Sequence, residues 1–257
     1  MITPRRRRLR TLLASGGALL GITVLSGCAD VVDAADPEIR GFGPAAEHLV
    51  ISVSDVEHLD VRSADVDEIE VTRWFAGSSF MGSTDAIWEL DEDRLTLATD
   101  CSPFVIGRCD ARYEVRVPSG VNVTIEGDSG EVSASGFDTD LTITTSSGRI
   151  LIDDVGGALA LSTESGELRG AGIRSSQADV TSASGEVELF FAEAPEELTT
   201  TAQSGEVTIV VPLAPYRVTT TTGSGNVTTQ VPTDPNGPHS ITVETDSGEI
   251  TVTSVGS

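Results

Sequence analysis

The sequence predicts an all-β fold, a single-stranded parallel β-helix or β-solenoid with about 18–20 residues per coil. Three observations carry this. Ser-Gly, then a variable polar residue, then an aliphatic one recurs seven times, as SGEV, SGRI, SGEL, SGEV, SGEV, SGNV and SGEI. The glycines are Gly130, Gly148, Gly166, Gly185, Gly205, Gly225 and Gly248, separated by 18, 18, 19, 20, 20 and 23 residues. Around each glycine, apolar and polar residues alternate with period two, as in half-buried strands, and no long stretch has helical periodicity. One such coil cannot bury its apolar side alone, whereas stacked coils can. The right-handed sense is the expected one.

The first element is residues 1–27, beginning "MITPRRRRLRTLLASGGALLGITVLSG". A basic start, an apolar stretch from Leu12 to Leu25 and small residues make a secretory leader. The apolar stretch is short and glycine-rich for a membrane span. Leu25-Ser26-Gly27-Cys28 has the form of a bacterial lipobox, which marks Cys28 for lipidation and anchoring to the outer face of the cell membrane. The paired arginines also fit a twin-arginine export signal, with incomplete flanks. Residues 28–47 are acidic, contain Pro and Gly, and read as a flexible tether. The remainder, 48–257, reads as one solenoid domain.

Within it, 48–117 supplies N-terminal strands: "LVISV", "LDVRSADVDEIEV" and "RLTLA" alternate. Cys101 and Cys109 flank "SPFVIGR". With Cys28 lipidated they are the remaining pair, and outside the cytoplasm they are expected to form a disulfide worth roughly 2–3 kcal/mol in the chain-entropy model. A zinc site is the alternative, but His48, His58 and His239 show no ligand spacing.

The segment 118–257 holds the regular repeats. Two residues after each glycine stand Val132, Ile150, Leu168, Val187, Val207, Val227 and Ile250. Five before stand Ile125, Ile143, Leu161, Val180, Thr200, Thr220 and Val243. Each repeat is therefore strand, bend, strand, with glycine permitting the bend. The serine before each glycine keeps the inward parity, so its hydroxyl is expected to satisfy backbone groups at the corner. Three before each glycine stand Gly127, Thr145, Thr163, Ser182, Ala202, Thr222 and Thr245, an expected internal ladder. Seven coils about 4.8 Å apart extend roughly 30 Å.

Two outward features are candidates for function. After the glycines come Glu131, Arg149, Glu167, Glu186, Glu206, Asn226 and Glu249. In sequence order Glu167, Glu186 and Glu206 are uninterrupted and form a candidate Ca²⁺-binding row; a solvated corner is the plainer reading. The pairs Thr142/Thr144, Thr199/Thr201 and Thr219/Thr221 form Thr-x-Thr steps, interrupted by Ala160, Ser162 and Asp179. Threonine is also a common strand surface residue.

Charge narrows the partners. The formal charge is −24, and every basic residue is Arg. Without the leader, 11 arginines face 40 acids, a net −29. Such a body repels nucleic acid and anionic headgroups. Nothing resembles a phosphate loop, a zinc cluster or a nucleophile elbow. Carboxylates are plentiful: Asp153-Asp154 and Glu89, Asp91, Glu92 and Asp93 are where acid/base chemistry would be sought. Trp74, Phe75, Phe80 and Trp88 would line a sugar-stacking patch or cap the N-terminal end.

The run "TTSSGRILI", "STESGELRG", "TSASGEVEL", "TTAQSGEVTIVV", "TTTGSGNVTTQV" and "ETDSGEITV" resembles the adhesin-like family of unknown function with β-strand repeats, common in actinobacteria behind a signal or membrane anchor. The resemblance covers His48 to Val255. It implies a solenoid with an adhesin role and supplies no catalytic residues. The expected protein is thus an envelope lipoprotein with a non-enzymatic binding or scaffolding surface. Its partners would be the membrane through Cys28, a cell-wall glycan or an envelope protein, and a second copy end to end. A carbohydrate-active β-helix enzyme is the alternative.

Overall fold

The computed structural model describes residues 35–79, 82–101 and 107–255. The leader, the lipobox with Cys28 and Phe80 lie outside the described residues. Every regular element described is a strand. In chain order they are β1 (Glu38–Gly41), β2 (His48–Ser54), β3 (His58–Ala64), β4 (Glu70–Ser79), β5 (Thr84–Asp91), β6 (Arg94–Cys101), β7 (Gly107–Pro118), β8 (Asn122–Gly127) and β9 (Glu131–Ser135). Then follow β10 (Leu141–Asp153), β11 (Leu159–Ile173), β12 (Gln177–Ser184), β13 (Val187–Phe191), β14 (Glu197–Ser204), β15 (Val207–Val211), β16 (Tyr216–Ser224), β17 (Val227–Gln230), β18 (His239–Ser247) and β19 (Ile250–Ser254). Each coil is one strand before the corner and one after it. In β10 and β11 the strand runs through the corner unbroken.

Coils stack as parallel ladders, but not in sequence order. Ile143 pairs with Leu161, Leu161 with Val180 and Val180 with Thr200. Thr200 then pairs with Val243, and Val243 with Thr220. The last coil, β18–β19, is therefore inserted between β14–β15 and β16–β17. The other end repeats the device: β2–β3 lies between β6–β7 and β8–β9. Burial explains the choice. The coil at 239–254 carries Ile241, Val243, Ile250 and Val252, all fully buried. The coil at 216–230 offers Thr220 and Thr229 at the matching inward positions, and polar β-branched residues tolerate the end of the stack. The expected sequential stack is corrected on this point, and the exposed C-terminal end is the 216–230 coil, not the final strand.

The N-terminal end is covered differently. β4 pairs antiparallel with β7, β5 with β6, and β1 with β4. Ile69, Val71 and Ala86 bury themselves against Leu95, Leu97, Tyr113 and Val115. Tyr113 donates its hydroxyl to the Ile87 carbonyl at 2.9 Å, and burial pushes its pKa up to about 12. Residues 38–41, inside the segment read as tether, form the outermost strand of this cap.

The recurring glycine is explained by contact as well as conformation. The Ser-Gly glycines have φ from +95° to +152°. A Cβ on Gly166 would stand 1.7 Å from the Gly148 carbonyl oxygen, and one on Gly185 1.8 Å from that of Gly166. Each corner is packed backbone on backbone. The corner serines, expected to point inward, are exposed: the turn at glycine breaks the strand parity one residue early. Only a marginal bond remains at Ser147, 3.3 Å from the Asp128 carbonyl.

The internal small-residue ladder is present. Thr145, Thr163, Ser182, Ala202 and Thr245 are buried, and the Thr145 and Thr163 hydroxyls lie 3.3 Å apart. The hydrogen bonding does not run along the whole column: the hydroxyls of Ser182 and Thr245, and of Thr200 in the neighbouring inward column, are buried without a hydrogen-bond partner. A buried unsatisfied hydroxyl costs about 1–3 kcal/mol. Thr200→Val keeps the shape and removes that cost. Its expected effect is a gain of about 1 kcal/mol, seen as a rise in Tm of about 2–4 °C; an unchanged or lower Tm would show that the hydroxyl is satisfied by a buried water.

Candidate binding surfaces

The outward positions of the strands before the corner build a hydroxyl-rich face. Stacking order places Thr124, Thr142, Ala160, Asp179, Thr199, Thr242 and Thr219 in one column. Beside it run Glu126, Thr144, Ser162, Thr181, Thr201, Glu244 and Thr221. The Thr199/Thr201 and Thr219/Thr221 pairs are not neighbours, as sequence order implies; Thr242 and Glu244 stand between them. Where Ala160 takes the place of threonine and Ala158 and Ala178 lie beside it, the face dips into an open groove of about 440 Å³. Asp140, Asp179 and Glu197 rim it. Asp140 is already engaged, accepting from the Ala158 amide at 3.0 Å.

The corner column on the other face is a charge ladder. His58 and Arg149 flank Glu131 at 3.1 and 2.8 Å. Arg149 also reaches Glu167 at 3.0 Å, and Arg169 joins Glu167 at 3.1 Å to Glu188 at 2.5 Å. Hydrogen bonding to Glu131, with the charge and hydrogen bond of Glu167, raises the Arg149 pKa further. The order of the corners runs from Glu186 to Glu206 to Glu249 to Asn226. So of the row Glu167, Glu186 and Glu206, the first is neutralised by two arginines, and a different residue, Glu249, continues the run. The charge of Glu188 foremost, then desolvation and the charges of Glu206 and Glu167, raise the Glu186 pKa. Among the described residues no group of three or more His, Cys, Asp or Glu converges as a metal site. Sequence spacing puts Glu249 in the corner column but, ranking coils by chain order, leaves it out of the uninterrupted run. The signal that would have found it is the greater apolarity of 239–254 over 216–230.

Cys101 and Cys109 are joined by a disulfide, with Cα atoms 6.3 Å apart, linking β6 to β7. It borders an open cleft lined by Asp55, Glu57, Thr99, Asp110 and Gly130. His48, His58 and His239 stand apart, each with its own partner: Thr124, Glu131 and the Pro195 carbonyl. Trp74, Phe75 and Trp88 belong to the N-terminal cap. Arg73 lies 4.2 Å over the Trp88 ring, Arg40 4.4 Å over Phe42 and Arg112 4.9 Å over Trp74. Guanidinium groups thus occupy the ring faces a sugar would stack on. Asp154 is held by Arg174 at 2.9 Å, which also holds Asp138.

These features define a class: an all-β, solenoid-like stack with shallow, open, polar surfaces. The family model Toastrack DUF4097 matches residues 51–253, and the chain belongs to that family. No curated protein matches it. Solved structures similar in fold include a "putative adhesin" from Bacteroides fragilis, with 15% identity, TM-score 0.48, and coverage of 84% of this chain and 97% of that one. A "putative cell adhesion protein" from Clostridium sporogenes has 12% identity and TM-score 0.36, covering 85% and 99%. A "putative lipid binding protein" from Parabacteroides distasonis has 12% identity and TM-score 0.40, covering 86% and 97%.

Proposed function

We propose that this protein is a cell-envelope lipoprotein, anchored through Cys28, whose solenoid presents an adhesin-like, non-enzymatic binding or scaffolding surface on the outer side of the membrane. The coil would be right-handed, at about 18–20 residues per turn. The observation that carries the binding reading is the hydroxyl face: Thr124, Thr142, Thr199, Thr242 and Thr219 on one rigid ladder, with a groove in its middle. Regular hydroxyls about 4.8 Å apart offer matched donors and acceptors to an extended polar polymer such as a wall glycan. A carbohydrate-active enzyme would need two carboxylates held together on one groove. Of the three carboxylates on the rim of this groove Asp140 is engaged by the Ala158 amide, which leaves Asp179 and Glu197 as the pair such an enzyme would have to use.

Co-sedimentation of the chain from residue 29 onward with isolated cell walls, with and without Ca²⁺, tests this. Saturable binding is the expected result. Binding that requires Ca²⁺ would move the site to Glu186, Glu206 and Glu249. No binding in either condition would overturn the wall-glycan reading.

A further inference from the structure

The two ends of the stack differ in a way that points to a partner. At the N-terminal end β5 is an edge strand, and arginines occupy its carbonyls: Arg73 donates to Ala86 and Arg40 to Trp88 at 3.2 Å. β1, the other edge there, has four residues, all exposed, and carries Glu38 and Arg40. Short, charged and already hydrogen-bonded edges resist pairing with another chain. The C-terminal end is less defended: β17 is also four residues long and Arg217 stands in β16, but β16 runs nine residues and only its first is engaged by a loop.

There, among the described residues, β16 pairs only with β18, and β17 only with β19, apart from one bridge from Tyr216 to Thr233. Tyr216 turns its N–H and C=O to Pro232 and Asp234 of the returning loop. In a parallel strand both groups of a residue face the same side. Hence Val218, Thr220 and Thr222 direct theirs outward, past the loop. Val227 is 41% exposed on the same end, and Thr229 is exposed at an inward position. Residues 218–233 carry no ionisable side chain, the longest such run after Cys28 in a body with 40 acids.

We propose that this end docks a second copy of the same chain, β16–β17 edge against β16–β17 edge across a two-fold axis, making a tail-to-tail dimer. The body is strongly acidic, whereas the run 218–233 at this end is uncharged and is bordered by one cation, Arg217, and one anion, Asp234, so self-pairing there meets little local charge repulsion. A cationic partner would be drawn to the acidic corner row instead. An isologous contact closes at two copies, whereas an end-to-cap contact would grow into fibres. The inference goes beyond the wall-binding reading and does not depend on it.

Sedimentation velocity of the full chain in mild detergent tests it, across protein concentration and from low salt to about 0.5 M, where screening acts within a few ångströms. The expected result is a monomer–dimer equilibrium that strengthens with salt. Thr221→Lys with Thr229→Lys, both at exposed positions, is expected to weaken it at least about tenfold by like-charge repulsion at the edge. Thr144→Lys, in the middle of the stack, is expected to leave it unchanged. Circular dichroism of each variant confirms folding. Monomer throughout, mass growing beyond a dimer, or a dimer that survives the paired lysines would each overturn the proposal.

Discussion

Gly166→Ala is expected to cost more than about 3 kcal/mol, or to prevent folding. Two effects act together. At φ +139° an L side chain is strained, which is worth about 1–3 kcal/mol. The larger effect is contact: the new Cβ would lie 1.7 Å from the Gly148 oxygen and 2.8 Å from its carbonyl carbon. Those atoms are backbone of the adjacent coil, so relief requires separating two coils, which breaks ladder bonds on both sides of the corner. Gly120 is the control. It also has positive φ, +92°, but an added Cβ there meets nothing within 4 Å. Gly120→Ala should cost about 1 kcal/mol, the conformational part alone. Urea unfolding of both variants measures the difference. If Gly166→Ala loses no more than Gly120→Ala, close backbone packing does not explain the glycine column.

How much of this was legible follows from which interactions are local. The period, the strand–corner–strand unit and the inward columns depend on residues close in sequence, and Leu141, Ile143 and Ile150 show them plainly. The glycine was readable as a bend, but not as a contact, since the Gly148 oxygen belongs to another coil. Strand parity continued through the corner predicts inward serines, but glycine resets the parity there and leaves them exposed. The order of coils was the main loss. All repeats offer nearly the same ladder to a neighbour, so pairing by itself does not say which coil lies next to which. The end coil is recognised by Thr229, where interior coils carry aliphatic or small residues; Thr220 alone does not mark it, because the interior Thr200 occupies the same column. For the candidate surfaces the consequence is direct: Thr242 enters between Thr199 and Thr219, and Glu249, which chain order separates from Glu206 by Asn226, stands next to Glu206. The N-terminal cap was foreseen as an aromatic alternative, yet its arginines over Trp88, Phe42 and Trp74 come from three strands and have no local signature.

The inserted coil has a consequence that separates it from sequential stacking. Ile250 and Val227 occupy the same inward column, two residues after their glycines, and they pair with each other. In chain order Val227 would be interior and Ile250 terminal. In the structure Ile250 is fully buried, with Val207 on one side and Val227 on the other, whereas Val227 is 41% exposed. Ile250→Ala leaves a cavity closed on both sides and is expected to cost about 2–5 kcal/mol. Val227→Ala removes methyl groups already half in water, and its expected cost is below about 1 kcal/mol. The isoleucine side chain is only slightly larger than valine, so size alone cannot produce so wide a gap; burial must. Because unfolding of a repeat stack can lose cooperativity, hydrogen exchange should accompany the denaturation curves. Amides of β14–β15 should lose protection in Ile250→Ala and keep it in Val227→Ala, since β18–β19 lies directly against them. Equal costs, or a larger cost at Val227, would mean that the chain stacks its coils in the order of its sequence.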